Sequence, residues 1–77
     1  MDSKMVFEVT VWMKHNHYCV ATGTTEIRDC CYVYNLVAKD DLEARDTAVS
    51  NVKVKYLKKD FIGITYCETK LLAELDN

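Results

Sequence analysis

Residues 4–14 read KMVFEVTVWMK, and their alternation decides the fold. The apolar members fall on one side of an extended chain: Met5, Phe7, Val9, Val11 and Met13. Mostly charged and hydroxyl side chains fall on the other side, and this period of two is typical of a strand with one buried face. The rest of the chain must therefore supply a layer that covers the odd-numbered side.

The polar stretch Lys14–His17 follows this strand. Asn16 favours turn geometry, and a mixed apolar and β-branched run resumes over Tyr18–Thr25. The pattern predicts a hairpin with its turn at Lys14–His17.

The segment 26–38 fits two interpretations. Ile27, Cys31, Tyr34 and Ala38 approximate a helical spacing, which leaves a helix open. The aromatic and β-branched runs at 32–34 and 36–37 favour a strand, and we interpret the segment as a strand.

A helix is predicted from Asp41 to Lys59. Asp40 can accept a hydrogen bond from an unsatisfied backbone N–H, and Glu43 can reach back in a capping box. The stripe expected to cover the sheet consists of Leu42, Arg45, Ala48, Val49, Val52 and Tyr56.

A last strand is predicted over Phe61–Glu68, with Gly63 at a bulge or a close approach. The residues 69–77 suggest a short turn of helix through three leucines, Leu71, Leu72 and Leu75. The predicted class is α+β, with two layers in the order β-β-β-α-β. One main helix packs on one face of an antiparallel sheet of three to four strands.

The composition describes one small domain spanning 1–77. The chain has 77 residues, of which 49% are hydrophobic and 29% charged, and it contains no proline that would mark a linker. A chain of this length buries only about 60% of the surface that its unfolded form exposes. Its core is marginal, so a homo-oligomer is a possible supplement.

Ten basic and twelve acidic side chains give a formal net charge of −2. The chain as a whole lacks the positive excess that drives phosphate binding, so nucleic acid is the less favoured partner. A local patch remains as an alternative, in which Lys53, Lys55, Lys58 and Lys59 contact phosphate. The competing interpretation is that lysines near a helix C-terminus complement the macrodipole.

No apolar stretch approaches the roughly 18 residues that cross a bilayer, and the start of the chain lacks a signal-peptide core. The expected location is the cytoplasm, with no membrane partner. The four cysteines are therefore expected to be reduced thiols, and adjacent Cys30 and Cys31 are poorly placed to bridge each other.

His15, His17 and Cys19 alternate as on one face of a strand, and imidazole and thiolate groups are the ligands that zinc selects. Cys30, Cys31 and Cys67 are further candidate thiol ligands. The chain has no C-x-x-C pair, and free cysteines often serve as small hydrophobic residues. It also has no phosphate-binding glycine loop and no G-x-S-x-G motif. We expect no metal, no cofactor and no catalytic residue, so the protein is not expected to be an enzyme.

Trp12 is the most informative residue, because the alternation that buries its two neighbours turns its indole to the opposite side. With tyrosines from neighbouring strands it would form a partner-binding platform, for which the candidates are Trp12, Tyr18, Tyr32 and Tyr34. Tyr66 is a further possible contributor. The alternative is that Trp12 is covered by the C-terminal leucines or by an identical subunit.

The layout of a Met-initiated strand, a hairpin, an Asp40-capped helix and a closing strand resembles the small accessory proteins of tailed phages. That group includes anti-CRISPR proteins and phage antitoxins. The resemblance covers layout along most of the chain and assigns no residue. It implies a stoichiometric inhibitor, acting in the host cytoplasm, that binds a host nuclease or defence complex. The alternative function is a small nucleic-acid-binding regulator that uses the lysine-rich end of the helix.

Overall fold

The computed structural model describes residues 4–75. Its elements in chain order are three strands and one helix: β1 (Lys4–Cys19), β2 (Thr24–Ala38), α1 (Asp41–Lys53) and β3 (Phe61–Leu75). The strands form an antiparallel sheet in the order β2-β1-β3, and α1 packs on one face of it. The α+β class with a helix on an antiparallel sheet is confirmed. The predicted order is wrong, because the described chain runs β-β-α-β with three strands.

The hairpin turn lies at Val20–Gly23 and not at Lys14–His17. Gly23 adopts a φ of 69°, a region that favours glycine, and its N–H donates to the Cys19 carbonyl at 2.8 Å. β1 therefore continues through Asn16 to Cys19. The run predicted as a second strand, Tyr18–Thr25, is divided between the end of β1, the turn and the start of β2, and the predicted third strand supplies the rest of β2.

The core has the composition that the opening alternation predicts. Its buried side chains are Phe7, Val9, Val11 and Met13 of β1 with Ala38, Ala44, Ala48 and Val52. The helical members recur every four residues, and the two small alanines let the backbone of α1 approach the sheet closely. Leu42 and Arg45 were expected in this stripe, but both are exposed.

Asp40 caps α1 as predicted, since its Oδ1 accepts the Glu43 N–H at 2.8 Å. The helix ends at Lys53, six residues before its predicted end at Lys59. A helix reaching Lys59 would leave a single residue to reverse the chain into β3. Residues 54–60 make that reversal instead, and we call them the return turn.

β3 extends through Leu75, so the predicted helical turn at 69–75 is wrong, and 76–77 lie outside the described residues.

The two edges of the sheet differ. β1 pairs with β2 without interruption from Met5↔Ala38 to Cys19↔Thr24, whereas its pairing with β3 shifts register three times. One shift lies beside Gly63, in agreement with the predicted bulge. The alternative prediction of a close approach at Gly63 is wrong, because a Cβ added there would meet no atom within 4 Å.

Candidate functional site

The sheet face opposite α1 carries the even-numbered side chains of β1. Trp12 lies on this open face and is 44% exposed, as the alternation predicts. Its cross-strand neighbours are Cys31 on β2 and Tyr66 on β3, and residues that face each other across a ladder share one face. Val33, two residues from Cys31, also lies on this face and is exposed. We call these four residues the aromatic patch.

Charged and polar side chains surround the aromatic patch. On one side Lys14 forms an ion pair with Asp29, with 3.6 Å between Nζ and Oδ1. On the other side Glu8 lies in register with Lys70, and Glu68 lies beside Thr10. An apolar centre with a polar rim is the usual arrangement of a protein-binding surface.

Tyr32 and Tyr34 do not belong to this surface, so their expected sharing of a face with Trp12 is wrong. They lie opposite the buried residues Val11 and Val9, which places them on the helix face. Tyr18 is exposed but lies six residues beyond Trp12, roughly 20 Å along the strand. Tyr66 was considered only as a further contributor, and the register of β3 is what brings it beside Trp12.

Tyr32 and Tyr34 instead join a polar aromatic cluster under the return turn. The hydroxyl groups of Tyr32 and Tyr56 hydrogen-bond to each other, and the rings of His15 and Tyr56 lie 4.8 Å apart. Burial, followed by the hydrogen bond to Tyr32, raises the pKa of Tyr56. Burial also raises the pKa of Tyr34, whose hydroxyl is buried and has no hydrogen-bond partner among residues 4–75. The contacts of Tyr56 with Tyr32 and His15 connect the return turn to the sheet.

Asn16, which was expected in a turn, anchors the return turn from β1. Its backbone N–H donates to the Asp60 carbonyl at 2.7 Å, and its side-chain Nδ2 donates to the Lys59 carbonyl at 3.3 Å. A groove of about 540 Å³ lies between this part of β1 and the return turn. We call it the basic groove; it is lined by His15, Asn16, His17, Tyr18, Lys55, Tyr56, Leu57, Lys59 and Asp60.

The four lysines of the alternative function lie around this end of the molecule. Lys53 ends α1, while Lys55, Lys58 and Lys59 belong to the return turn, so helix-dipole complementarity explains only Lys53. All four are exposed, and within the described chain none lies within 4 Å of a carboxylate oxygen. Lys55 places its Nζ 5.5 Å from the Tyr32 ring centre.

The histidines and cysteines are spread along the sheet. Among residues 4–75 no group of three or more His, Cys, Asp or Glu side chains is placed to hold a metal ion. Hydrogen bonding to Thr22 lowers the pKa of the Cys19 thiol, whereas burial raises that of Cys67. All four cysteines are free thiols.

No family model, curated protein or solved structure matches the chain. Within 4–75, the one helix is too short and too polar to traverse a bilayer.

Proposed function

We propose that this protein acts by binding another protein through the aromatic patch, without catalysing a reaction. The observation that carries the proposal is the exposure of Trp12 on the sheet face opposite α1. A monomer gains little by displaying an indole to water, whereas tryptophan is among the residues most enriched in interface hot spots. The neighbouring Tyr66 adds a second aromatic ring to the same contact.

The electrostatics of the open face suit a protein partner better than a polyanion. Glu8, Glu68 and Asp29 lie among Lys14 and Lys70, so the face carries both signs of charge. A phosphate backbone would be repelled by the acidic members, whereas mixed charges at the rim of a protein interface fix register and partner choice. The layout resemblance suggests a specific form of this proposal, a phage-encoded inhibitor that occupies a surface of a host nuclease or defence complex.

The experiment compares three tagged proteins as baits in a bacterial lysate: wild type, Trp12→Ala and Tyr18→Ala. Tyr18 is the matched control, because it is an exposed aromatic residue of the same strand that lies outside the patch. A partner retained by wild type and Tyr18→Ala but lost by Trp12→Ala supports the proposal. The purified partner should then bind Trp12→Ala about 30-fold more weakly, which corresponds to about 2 kcal/mol. A partner that all three retain equally contradicts it.

A second candidate function is nucleic-acid binding, and the unpaired lysines beside the basic groove favour it. Lysines would neutralise phosphates, and the aromatic rings of the groove would stack on unpaired bases.

The test of this second candidate is the binding of a labelled single-stranded oligonucleotide over a range of salt concentrations. Replacing Lys58 and Lys59 by alanine should make the dependence of log affinity on log salt shallower by about 1.4. The control replaces Lys4 and Lys70, which lie away from the groove. Absence of binding at low salt rejects this candidate.

A further inference from the structure

The outer edge of β2 is the least protected part of the sheet. Fifteen residues of β2 pair with β1 without a bulge, and no backbone hydrogen bond joins the other edge of β2 to any described residue. β3, at the opposite edge, carries three irregularities of register. Bulges, prolines and charges are the means by which proteins prevent edge strands from pairing with another chain. β3 has the first of these, whereas β2 has none over most of its length.

The composition of β2 makes the contrast sharper. Residues 30–38 read CCYVYNLVA and contain no charged residue, no glycine and no proline. Several members are β-branched or aromatic, which favours an extended conformation. Such a segment on a free edge is a template for addition of a strand.

We propose that the β2 edge pairs with the β2 edge of a second copy of this chain, in antiparallel register about Tyr34. Across the new ladder, side chains on one face of the sheet must lie opposite side chains on the same face. The two residue numbers of each facing pair therefore add to an even number, and the two-fold axis of the dimer passes between the two copies of one residue. Centring on Tyr34 pairs the uncharged stretch 30–38 with itself. The first charged residue before this stretch, Asp29, then lies opposite Lys39, the residue that directly follows the end of β2.

The two helices fit on the resulting sheet. The strand order becomes β3-β1-β2-β2-β1-β3, which separates the two β1 strands by three spacings, or roughly 14 Å. Packed helices lie roughly 8 to 10 Å apart, so each copy of α1 keeps its place over its own strands. The bulged β3 strands form both outer edges, so growth stops at two copies. The contact uses the backbone edge of β2, so Trp12 on the central strand and Tyr66 on β3 stay exposed in both copies. Cys31 and Val33, the members of the aromatic patch that lie on β2, gain neighbours from the second copy.

The register is tested by a disulfide between copies. In this register Cys31 of one copy faces residue 37 of the other, and facing residues of an antiparallel ladder lie at separations that a disulfide spans. Val37→Cys, oxidised with glutathione, should give a covalent dimer that disappears when Cys31→Ser is added. The matched control is Val33→Cys, which lies on the same exposed face but roughly 13 Å from Cys31 of the second copy. Equal cross-linking of both variants overturns the register.

The contact itself is tested by sedimentation over a range of protein concentrations. Val33 and Asn35 of different copies face each other, so Val33→Lys with Asn35→Lys places like charges in two opposing pairs and should raise the dimer dissociation constant about tenfold or more. Val33→Lys with Asn35→Glu places opposite charges there and should retain the dimer. The control, Ile62→Lys with Thr65→Lys, alters the β3 edge and should have no effect. A monomer at every concentration, or a dimer that only Trp12→Ala dissociates, overturns the proposal.

Discussion

The hydroxyl groups of Tyr32 and Tyr56 form a hydrogen bond that joins β2 to the return turn. Tyr34, two residues from Tyr32 on the same face, has a buried hydroxyl with no partner among the described residues. The two neighbouring tyrosines therefore differ in what their hydroxyl groups contribute. Removing one hydroxyl breaks a hydrogen bond, whereas removing the other relieves an unsatisfied buried group.

The first prediction is that Tyr32→Phe lowers the free energy of unfolding whereas Tyr34→Phe does not. Tyr32→Phe should lower the free energy of unfolding by about 0.5 to 1.5 kcal/mol, because the Tyr56 hydroxyl loses its partner. Tyr34→Phe should leave stability unchanged or raise it. Denaturant melts of the two variants at pH 7 measure both changes, and equal losses would contradict the hydrogen-bond assignment.

The second prediction concerns alkaline pH. The pKa of Tyr56 is raised above the ordinary tyrosine value near 10, so above that pH the unfolded chain releases this proton while the folded chain retains it. The stability contributed by neutral Tyr56 is complete below pH 10 and decreases as pH rises further. Between pH 10 and 12 the melting temperature of wild type should therefore fall more steeply than that of Tyr56→Phe. Parallel profiles would show that Tyr56 is not responsible.

The sequence predicts elements where one local pattern dominates. The alternation of β1 and the Asp40 cap each follow from a few neighbouring residues, and both are confirmed. The errors occur where tertiary contacts decide. Lys14–His17 is polar but continues β1, and Asn16 bonds to the Asp60 carbonyl of the return turn, a contact that the local sequence does not show. The real turn did have a local signal, which is Gly23.

The sequence predicts only part of the candidate site, because only part of it follows from a local pattern. The exposure of Trp12 follows from the alternation of its own strand. Its neighbours depend on strand pairing, which sets Cys31 and Tyr66 beside it and sends Tyr32 and Tyr34 to the other face. Residue types alone do not specify that register, since a shift of one residue reverses every side chain of a strand.

The third prediction tests the helix cap with a neighbouring carboxylate as control. Asp40→Ala removes the acceptor for the Glu43 N–H and should cost about 0.5 to 2 kcal/mol of stability. Asp41→Ala removes an acidic side chain from the first turn that makes no such bond, so it should cost about 0.3 to 1 kcal/mol at low ionic strength and less in salt. Thermal melts at two salt concentrations separate the two effects. A salt-sensitive loss for Asp40→Ala would indicate that charge, and not the cap, is responsible.

The last prediction tests the difference between the two faces of β1, on which the functional proposal rests. Val9 is fully buried beneath α1, so Val9→Asp places a carboxylate without a partner in the core and should unfold the protein near neutral pH. Thr10 lies next in the chain but on the open face, where a carboxylate remains in contact with water. Thr10→Asp should therefore change stability by less than about 1 kcal/mol, the cost expected of a surface substitution beside the existing Glu68. Circular dichroism and denaturant melts of the pair measure the difference. If Thr10→Asp also unfolds the protein, the open face is covered in solution, and the surface assigned to a protein partner is part of a core.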